Sequence, residues 1–296
     1  MPLRRATRRL LVALAAGAVV AGSFTAGVVA GAGSADEAQA AAASSRLDEA
    51  ASRIGADALR PVDRQALEAA AISGMLRAAG DEWGRWSQAP AGAPAAGAVA
   101  VRAVPRPGGT ATVIAISSFE RGTGRQVRAA LAGRPADSAG VVLDLRGNGG
   151  GLLDEAVETA SAFLSSGVVV RCTRRDGSVE QLDAVGTGDT STPLAVLVDG
   201  GSASAAEVVA GALSESGRAV LVGSRTYGKG TVQEPERMSD GSSLQLTVAT
   251  YTTPSGRSVE GVGLEPDLEV APARAPGVAL RRAVDVLGGL RADREG

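Results

Sequence analysis

The chain contains a single lysine, Lys229, beside 29 arginines and no histidine. A lysine that is stripped of water can lose its proton near neutral pH, whereas an arginine inside a protein cannot. Burial would have to lower the lysine pKa by roughly three units from about 10.4, on the order of 4 kcal/mol. Lys229 lies between two glycines in SRTYGKGTVQEP, and small neighbours let other backbone approach and exclude water. Lys229 is therefore a candidate general base; the alternative is a surface lysine in a turn.

Ser204 lies 25 residues before Lys229, where LAVLVDG leads into GGSASAAEVVAGALSESG. The first segment is typical of a strand, and the second of a small-residue turn followed by a helix. Unpaired backbone N–H groups at the start of a helix suit the negative charge that develops in acyl transfer. Ser204 is thus a candidate nucleophile; the alternative is that Ser202 or Ser204 only caps the helix.

Two further segments could contribute to the same chemistry. If TVQ is extended, the side chains of Lys229, Thr231 and Gln233 point to one face, so that Gln233 could accept a hydrogen bond from the lysine. In VVLDLRGNGGGLLDEAVETA a buried strand leads through a glycine cluster into a helix. Its glycines match neither GxxxxGK[ST] nor GxGxxG, so we expect them to serve an oxyanion rather than a phosphate. Asp144 and Arg146 alternate with leucines, and we expect them to make structural polar contacts.

Composition excludes several classes of site. Without histidine there can be no Ser-His-Asp triad, Cys-His pair or histidine-ligated metal. The single cysteine, Cys172, allows no intramolecular disulfide and is predicted to be a packed strand residue. A penicillin-binding type of site needs Ser-x-x-Lys, but Thr226 precedes the lysine by three residues. The net charge of -2 offers no basic field for nucleic acid. We expect no metal and no cofactor.

Strand-like and helix-like segments alternate over most of the chain, which predicts an α/β fold with a parallel or mixed sheet flanked by helices. They are TATVIAISSF, GRQVRAALAG, GVVLDLRG, LDEAVETASAFLSS, GVVVRCTR, LAVLVDGG, AAEVVAGALSESG and AVLVGSRT. SLQLTVATYTT then predicts another strand and GVALRRAVDVLGGL a closing helix.

We expect four regions along the chain. Residues 1–44 combine a basic flank, an apolar run and an Ala-x-Ala sequence at Ala38, which indicates a signal peptide or, because the run approaches the length of a bilayer span, a membrane anchor. Residues 45–88 predict two short helices around Pro61, residues 89–98 a linker rich in Pro, Gly and Ala, and residues 99–290 the core domain. The protein is expected to be exported, either secreted or anchored to the cell membrane.

Three long segments, in this order, resemble those of the carboxyl-terminal processing (tail-specific) serine proteases: LDLRGNGGGLLDEAV, GSASAAEVVAGAL and GSRTYGKGTVQ. The resemblance extends to IAISSFERGTG before them and to LTVATYTTPSGRSVEGVGLEPDLEV after them, and DEWGRWS is similar to the segment that precedes the PDZ domain of the family. In all it covers residues 65–290.

The resemblance implies a twisted sheet with packed helices, as in the crotonase and Clp peptidase cores, and a polypeptide substrate. It places the nucleophile at Ser204, the base at Lys229, the lysine-orienting amide at Gln233, and the oxyanion donors at the backbone N–H groups of Gly150 and Ala205. Two departures stand out. About a dozen residues separate Trp86 from Val99, too few for a PDZ domain, and Gly149 replaces a common proline.

We therefore expect an exported endopeptidase that acts on unfolded or loosely structured polypeptides through a Ser-Lys acyl-enzyme. The alternative from another class is a catalytically silent or partner-activated envelope protein that binds peptides on the same fold. Cleavage or probe labelling that depends on Ser204 discriminates between them.

Overall fold

The computed structural model describes residues 35–88, 98–106, 109–271 and 277–295. The chain divides into two compact units, Met1–Ile72 and Ser73–Gly296. The helices are α1 (Ala35–Asp57), α2 (Arg64–Ala78), α3 (Thr123–Ala132), α4 (Leu153–Ser161), α5 (Ala205–Glu215) and α6 (Gly277–Glu295). The strands are β1 (Arg85–Ser87), β2 (Val99–Arg106), β3 (Gly109–Ile116), β4 (Ser138–Asp144), β5 (Val168–Arg174), β6 (Val179–Asp183), β7 (Leu194–Val198), β8 (Val220–Gly223), β9 (Thr231–Arg237), β10 (Ser243–Thr252) and β11 (Leu268–Glu269).

Helices α1 and α2 lie on either side of Pro61, as predicted, because proline removes a backbone donor and disfavours helix in the residue before it. Exposed ion pairs link Arg64 to Asp48 and to Glu68. The apolar run predicted as a signal peptide or anchor lies almost wholly in residues 1–34, outside the described residues. Within the described part of the chain, no helix has both the length and the apolar character needed to cross a bilayer.

The central sheet has six strands in the order β11-β8-β7-β4-β3-β2, and its strands are parallel except for the antiparallel edge strand β2. Strand β7 is buried at every position, as expected of a parallel strand covered on both faces. Alternate residues of β4 face opposite sides: Val141 and Leu143 join the core with α3, α4 and α5, whereas Val142 packs with α6. The predicted α/β core is confirmed.

A second sheet is entirely antiparallel, with the order β1-β10-β5-β6 and with β9 also paired to β10. The sequence patterns did not distinguish this sheet from the first, because β6 and β9 are short or exposed and lack an apolar alternation. Strand β1 lies within residues 45–88, which were predicted to be helical; its pairing with Ser243–Gln245 of β10 makes it part of the unit that holds the central sheet.

Asp81 fixes the turn that leads into β1. Its Oδ1 accepts hydrogen bonds from the backbone N–H groups of Trp83 and Gly84 and from the Thr247 hydroxyl, and its Oδ2 accepts one from the Thr247 N–H. Burial raises the pKa of this carboxyl, but the bonds from Thr247, Gly84 and Trp83 outweigh that effect and hold the pKa below its usual value. One carboxylate thus attaches the β1 turn to β10.

We predict that Asp81→Asn lowers the free energy of unfolding by about 2 kcal/mol near pH 7, because an amide cannot accept all four bonds. A carboxyl whose pKa is lowered in the folded state stabilises above its unfolded pKa and loses that effect as the pH falls. The difference between wild type and variant should therefore shrink below about pH 4. Urea unfolding at several pH values measures it. Asp176→Asn is the control, since Asp176 is exposed and bonds only Ser178 within its own turn; equal losses in both variants would contradict the prediction.

Candidate active site

Ser204 adopts a strained backbone conformation at the start of α5. Its φ of 55° and ψ of -117° make it the one non-glycine residue with a positive φ among the described residues. Such a conformation costs on the order of 1–3 kcal/mol and persists only when its surroundings impose it. Here the Tyr251 hydroxyl donates to the Ser204 carbonyl (3.1 Å), and the next residue, Ala205, begins a helix that is buried over most of its length. Ser204 itself remains half-buried and lines a cleft.

The buried carboxylate of Glu207 joins the Ser204 turn to the lysine loop. Its Oε2 accepts hydrogen bonds from the backbone N–H groups of Ser204 and Lys229, both at 2.9 Å. Its Oε1 accepts from the Thr226 hydroxyl (2.5 Å) and from the Gly228 N–H (2.9 Å). The side chain of Glu207 is fully buried, so these four donors replace the water that it loses. One carboxylate therefore fixes the separation of the candidate nucleophile and base.

The glycines that flank Lys229 allow the close approach that the sequence predicted. A Cβ on Gly228 would lie 2.8 Å from the Gly263 nitrogen, and a Cβ on Gly230 would lie 2.9 Å from the Glu260 nitrogen. The φ of Gly228 is 91°, a conformation that L side chains rarely adopt. The loop 259–263 therefore packs directly against the lysine segment and removes water from it.

The amine of Lys229 is half-buried, and its charges and contacts come from several elements. Burial lowers its pKa below the ordinary value, and the positive charge of Arg85 lowers it further, whereas Glu260 and Asp81 raise it. Among the described residues no hydrogen bond joins Nζ to the Ser204 hydroxyl. Nζ lies instead 4.4 Å from the centroid of the Trp83 ring.

Gln233 lies on β9, two residues after Thr231, in the extended arrangement that the sequence predicted. Its Nε2 donates to the hydroxyls of Thr231 (2.9 Å) and Thr247 (3.2 Å). The predicted hydrogen bond to Lys229 is not formed, because the amide is turned towards the Thr247 hydroxyl, which itself donates to Asp81. Gln233 still lines the same cleft as Lys229.

The two predicted oxyanion donors differ in whether their N–H groups already donate a hydrogen bond. The Gly150 N–H donates to Oδ1 of the buried Asn148 (2.8 Å), so it is not available in this conformation. The Ala205 N–H has no acceptor within the described part of the chain, and a Cβ on Gly150 would lie 3.2 Å from the Ala205 nitrogen. Asn148 also accepts the Ala203 N–H through its carbonyl, which ties the glycine cluster to the Ser204 turn. The loop of Gly150 therefore lies next to Ser204, but the Gly150 N–H points to Asn148, which the sequence did not predict.

Ser204, Lys229, Gln233 and Ala205 line one cleft of about 1110 Å³. Its apolar wall is formed by Phe119, Leu152, Leu153, Val208, Val232 and Tyr251. Its charged lining residues are Arg85, Glu120, Arg121, Asp154, Lys229 and Glu234. A cleft of this kind can hold an extended chain with an apolar side chain next to the serine.

The remaining sequence predictions concern residues outside the cleft. Asp144 and Arg146 form an ion pair with each other at 2.6 Å, the structural contact that was expected. Cys172 is buried on β5, where burial raises the pKa of its thiol to about 11, so it is a packed strand residue. Within the described ranges no three His, Cys, Asp or Glu residues are grouped so that they could hold a metal ion.

Comparison with known proteins shows the family. Residues 110–270, more than half of the chain, match the profile of peptidase family S41. The chain is 46% identical over 133 residues to a carboxy-terminal-processing protease of Bartonella bacilliformis, which covers 44% of this chain and 31% of that protein. It is 40% identical over 163 residues to a carboxyl-terminal-processing protease of Synechocystis sp., which covers 55% of this chain and 38% of that protein. The matched segments thus span about a third of these relatives.

Two solved structures have folds similar to that of this chain. A photosystem II D1 C-terminal processing protease superposes with a TM-score of 0.54 at 34% identity, over 65% of this chain and 53% of that chain. Mature CPAF, at 12% identity and a TM-score of 0.50, shares the fold alone and covers 69% of this chain and 56% of that one. The α/β fold agrees with the match to the family profile. The chain belongs to peptidase family S41.

Sequence reasoning did not find Glu207 or Trp83. Glu207 could have been found, because Ser204 and Glu207 have the Ser-x-x-Glu spacing of a capping box at the start of a helix. Trp83 could not, since its contact with Lys229 joins segments more than a hundred residues apart.

We predict that Glu207→Gln lowers the free energy of unfolding by about 2–4 kcal/mol, because an amide nitrogen would face backbone donors in a buried site. The Lys229 N–H bonds Oε2 and the Gly228 N–H bonds Oε1, and glutamine keeps only one acceptor oxygen, so at least one of these two backbone amides should exchange with solvent faster. Denaturant unfolding and hydrogen exchange measure the two effects. Glu215→Gln on the same helix, where Glu215 pairs with the half-exposed Arg257, is the control. Unchanged exchange at both Lys229 and Gly228 in Glu207→Gln would contradict this role.

Proposed function

We propose that the chain is a serine endopeptidase that cleaves polypeptides through a Ser204 acyl-enzyme with Lys229 as general base. One observation carries the proposal: a single carboxylate oxygen, Oε2 of Glu207, binds the backbone N–H groups of both residues. A merely structural serine cap would not need its helix to be joined to the loop of the only lysine. The names of the similar proteins, which are proteases, support the proposal.

In the proposed reaction, neutral Lys229 accepts the proton of the Ser204 hydroxyl as its oxygen attacks the substrate carbonyl carbon. The tetrahedral oxyanion accepts hydrogen bonds from the Ala205 N–H and, after the Gly150 peptide turns away from Asn148, from the Gly150 N–H. The Lys229 ammonium then protonates the leaving amine, which departs. Water next attacks the ester carbonyl and passes a proton to Lys229; Lys229 returns this proton to the Ser204 oxygen as the ester C–O bond breaks and the carboxylic acid leaves.

The conformation described here requires two adjustments before this reaction. Nζ of Lys229, which lies 4.4 Å from the Trp83 ring centroid, must form a hydrogen bond to the Ser204 hydroxyl, and the Gly150 N–H must exchange its bond to Asn148 for one to the oxyanion. Glycines at 149–151 make the second change inexpensive, since glycine has access to both signs of φ. These two adjustments also favour a second candidate function, a partner-activated peptide-binding protein. In such a protein the site would reach the reactive arrangement only when the partner binds.

The proposed substrates are unfolded or loosely structured polypeptides, because a cleft of this size with an apolar wall can hold an extended chain. We further propose that the protein acts outside the cytoplasm, secreted or held to the membrane by its N-terminal segment. The basic flank and apolar run of residues 1–44 support this location. Recovery of the mature protein in the cytoplasm of its cell would overturn it.

We predict that the chain cleaves an unfolded model protein and that Ser204→Ala and Lys229→Arg each lower kcat/KM by at least about 10³-fold. Arginine keeps the positive charge but cannot lose its proton, so Lys229→Arg separates a base from a charge. Cleavage is followed by gel electrophoresis and mass spectrometry. Wild type that is inert while folded, and that regains Ser204-dependent cleavage only with a partner, would favour the second candidate function.

The pH dependence should follow the ionisation of Lys229. Activity requires the neutral amine, so kcat/KM rises with pH through the Lys229 pKa, which burial and Arg85 lower below 10.5. Arg85→Gln removes a neighbouring positive charge, raises this pKa and shifts the rising limb to higher pH. The control is Arg121→Gln, which changes another arginine of the same cleft. If the rising limb of kcat/KM stays at the same pH in Arg85→Gln, or shifts equally in Arg121→Gln, the assignment of this limb to Lys229 is contradicted.

A further inference from the structure

The indole of Trp83 is the contact partner of the Lys229 ammonium. Nζ lies 4.4 Å from the ring centroid, within the roughly 6 Å at which a cation is attracted to the face of an aromatic ring. Tyr227, two residues before the lysine, packs edge-on against the same ring at 6.0 Å and 71°. Both sides of this contact belong to the unit Ser73–Gly296. The amine is thus placed against an aromatic group and not against the Ser204 hydroxyl.

The position of Trp83 is fixed by its own turn. Asp81 accepts hydrogen bonds from the backbone N–H groups of Trp83 (3.1 Å) and Gly84 (2.7 Å), and it is bound in turn by Thr247 of β10. A Cβ on Gly84 would lie 2.7 Å from Cδ2 of Leu76, so the turn is closely packed. Strand β1 follows at once and pairs with β10. The ring is therefore held in place before any substrate arrives.

Within the described part of the chain, Nζ has no hydrogen-bond acceptor. The charged groups that face Lys229 are Arg85 of β1, Asp81 of the preceding turn and Glu260 of the loop after β10, while Glu207 of α5 binds its backbone N–H. Arg85 favours the neutral amine, and Glu260 and Asp81 favour the charged one. A ring face attracts only the charged form.

We propose that Trp83 is a positioning residue that holds the protonated Lys229 on its indole face, away from Ser204, and releases the amine once it is neutral. The proposal rests on the proposed function, in which Lys229 is the base. Trp83 also lines the substrate cleft. A peptide bound in the cleft would compete with the ammonium for the ring face, and loss of this contact would favour the neutral amine that can reach the serine.

The contact between the ring face and the ammonium raises the Lys229 pKa. A ring that only shields the amine from water would lower this pKa, since exclusion of water disfavours the charged form. The two roles can be separated without a change of shape by fluorinated tryptophans. Fluorine withdraws electron density from the ring face and weakens its attraction for a cation, but it leaves the apolar surface almost unchanged.

The chain suits this experiment because it has one lysine and two tryptophans. Lysine labelled with ¹³C at Cε gives a single NMR resonance, which reports the pKa of Lys229 directly. In Trp86→Phe, Trp83 is the sole tryptophan and is replaced by mono-, di- and trifluorotryptophan. We expect the Lys229 pKa to fall with each added fluorine, and the Cε protons to show an upfield ring-current shift. If Trp86→Phe does not fold, the same fluorotryptophan series is measured in the chain that keeps both tryptophans.

The matched control is Trp83→Phe with fluorotryptophan at Trp86, whose indole N–H donates to Ser242; there the pKa should not depend on fluorine number. A pKa that is constant across the Trp83 series, or a missing ring-current shift, overturns the proposal. The titration needs no substrate and is repeated in Ser204→Ala. Failure of the proposed function would therefore appear as absent cleavage with an intact fluorine dependence. In an active chain, the rising limb of kcat/KM should shift to lower pH along the same series.

Discussion

The four hydrogen bonds that end on the Glu207 carboxylate are the constraint on which the site depends. They hold the Ser204 N–H on one side and the N–H groups of Lys229 and Gly228 on the other, with the Thr226 hydroxyl as the fourth donor. The carboxylate is fully buried, so each donor it gained replaces a bond to water that it lost. The positive φ of Ser204, which costs free energy by itself, is stable because this carboxylate and Tyr251 fix the backbone on both sides. The proposed nucleophile and base are thus held by the fold and not by a bond between their side chains.

The protonation state of Lys229 is set by opposing effects, of which burial is the largest, and the net result is a lowered pKa. Burial and Arg85 favour the neutral amine that a base requires, whereas Glu260, Asp81 and the face of Trp83 favour the ammonium. Because these groups act in opposite directions, a change in any one of them shifts the Lys229 pKa. An arginine could not serve here, because its guanidinium would remain charged whatever the balance.

Local patterns predicted those parts of the fold that are determined locally. The buried strands β4 and β7, the helices α4 and α5, and the turns between them follow from apolar runs that end in small residues. Ser204 is a candidate nucleophile because it follows a small-residue junction between a strand and a helix, and Lys229 is a candidate base because it is the one lysine in the chain. The antiparallel sheet was not separated from the first, since its pairings join β1, β5, β9 and β10 over long distances in sequence. For the same reason Gln233 was placed on the correct strand but given the wrong partner: its amide bonds Thr247, which comes from β10.

The most direct test of the account is the rate at which a fluorophosphonate labels Ser204 as a function of pH, measured on the same sample in which Lys229 is titrated by NMR. If Lys229 removes the proton from Ser204, the two curves share one midpoint, and that midpoint lies below the ordinary lysine pKa of about 10.4. Labelling at Ser204 with a different midpoint, or labelling that persists unchanged in Lys229→Arg, would show that another group activates the serine and would contradict the account.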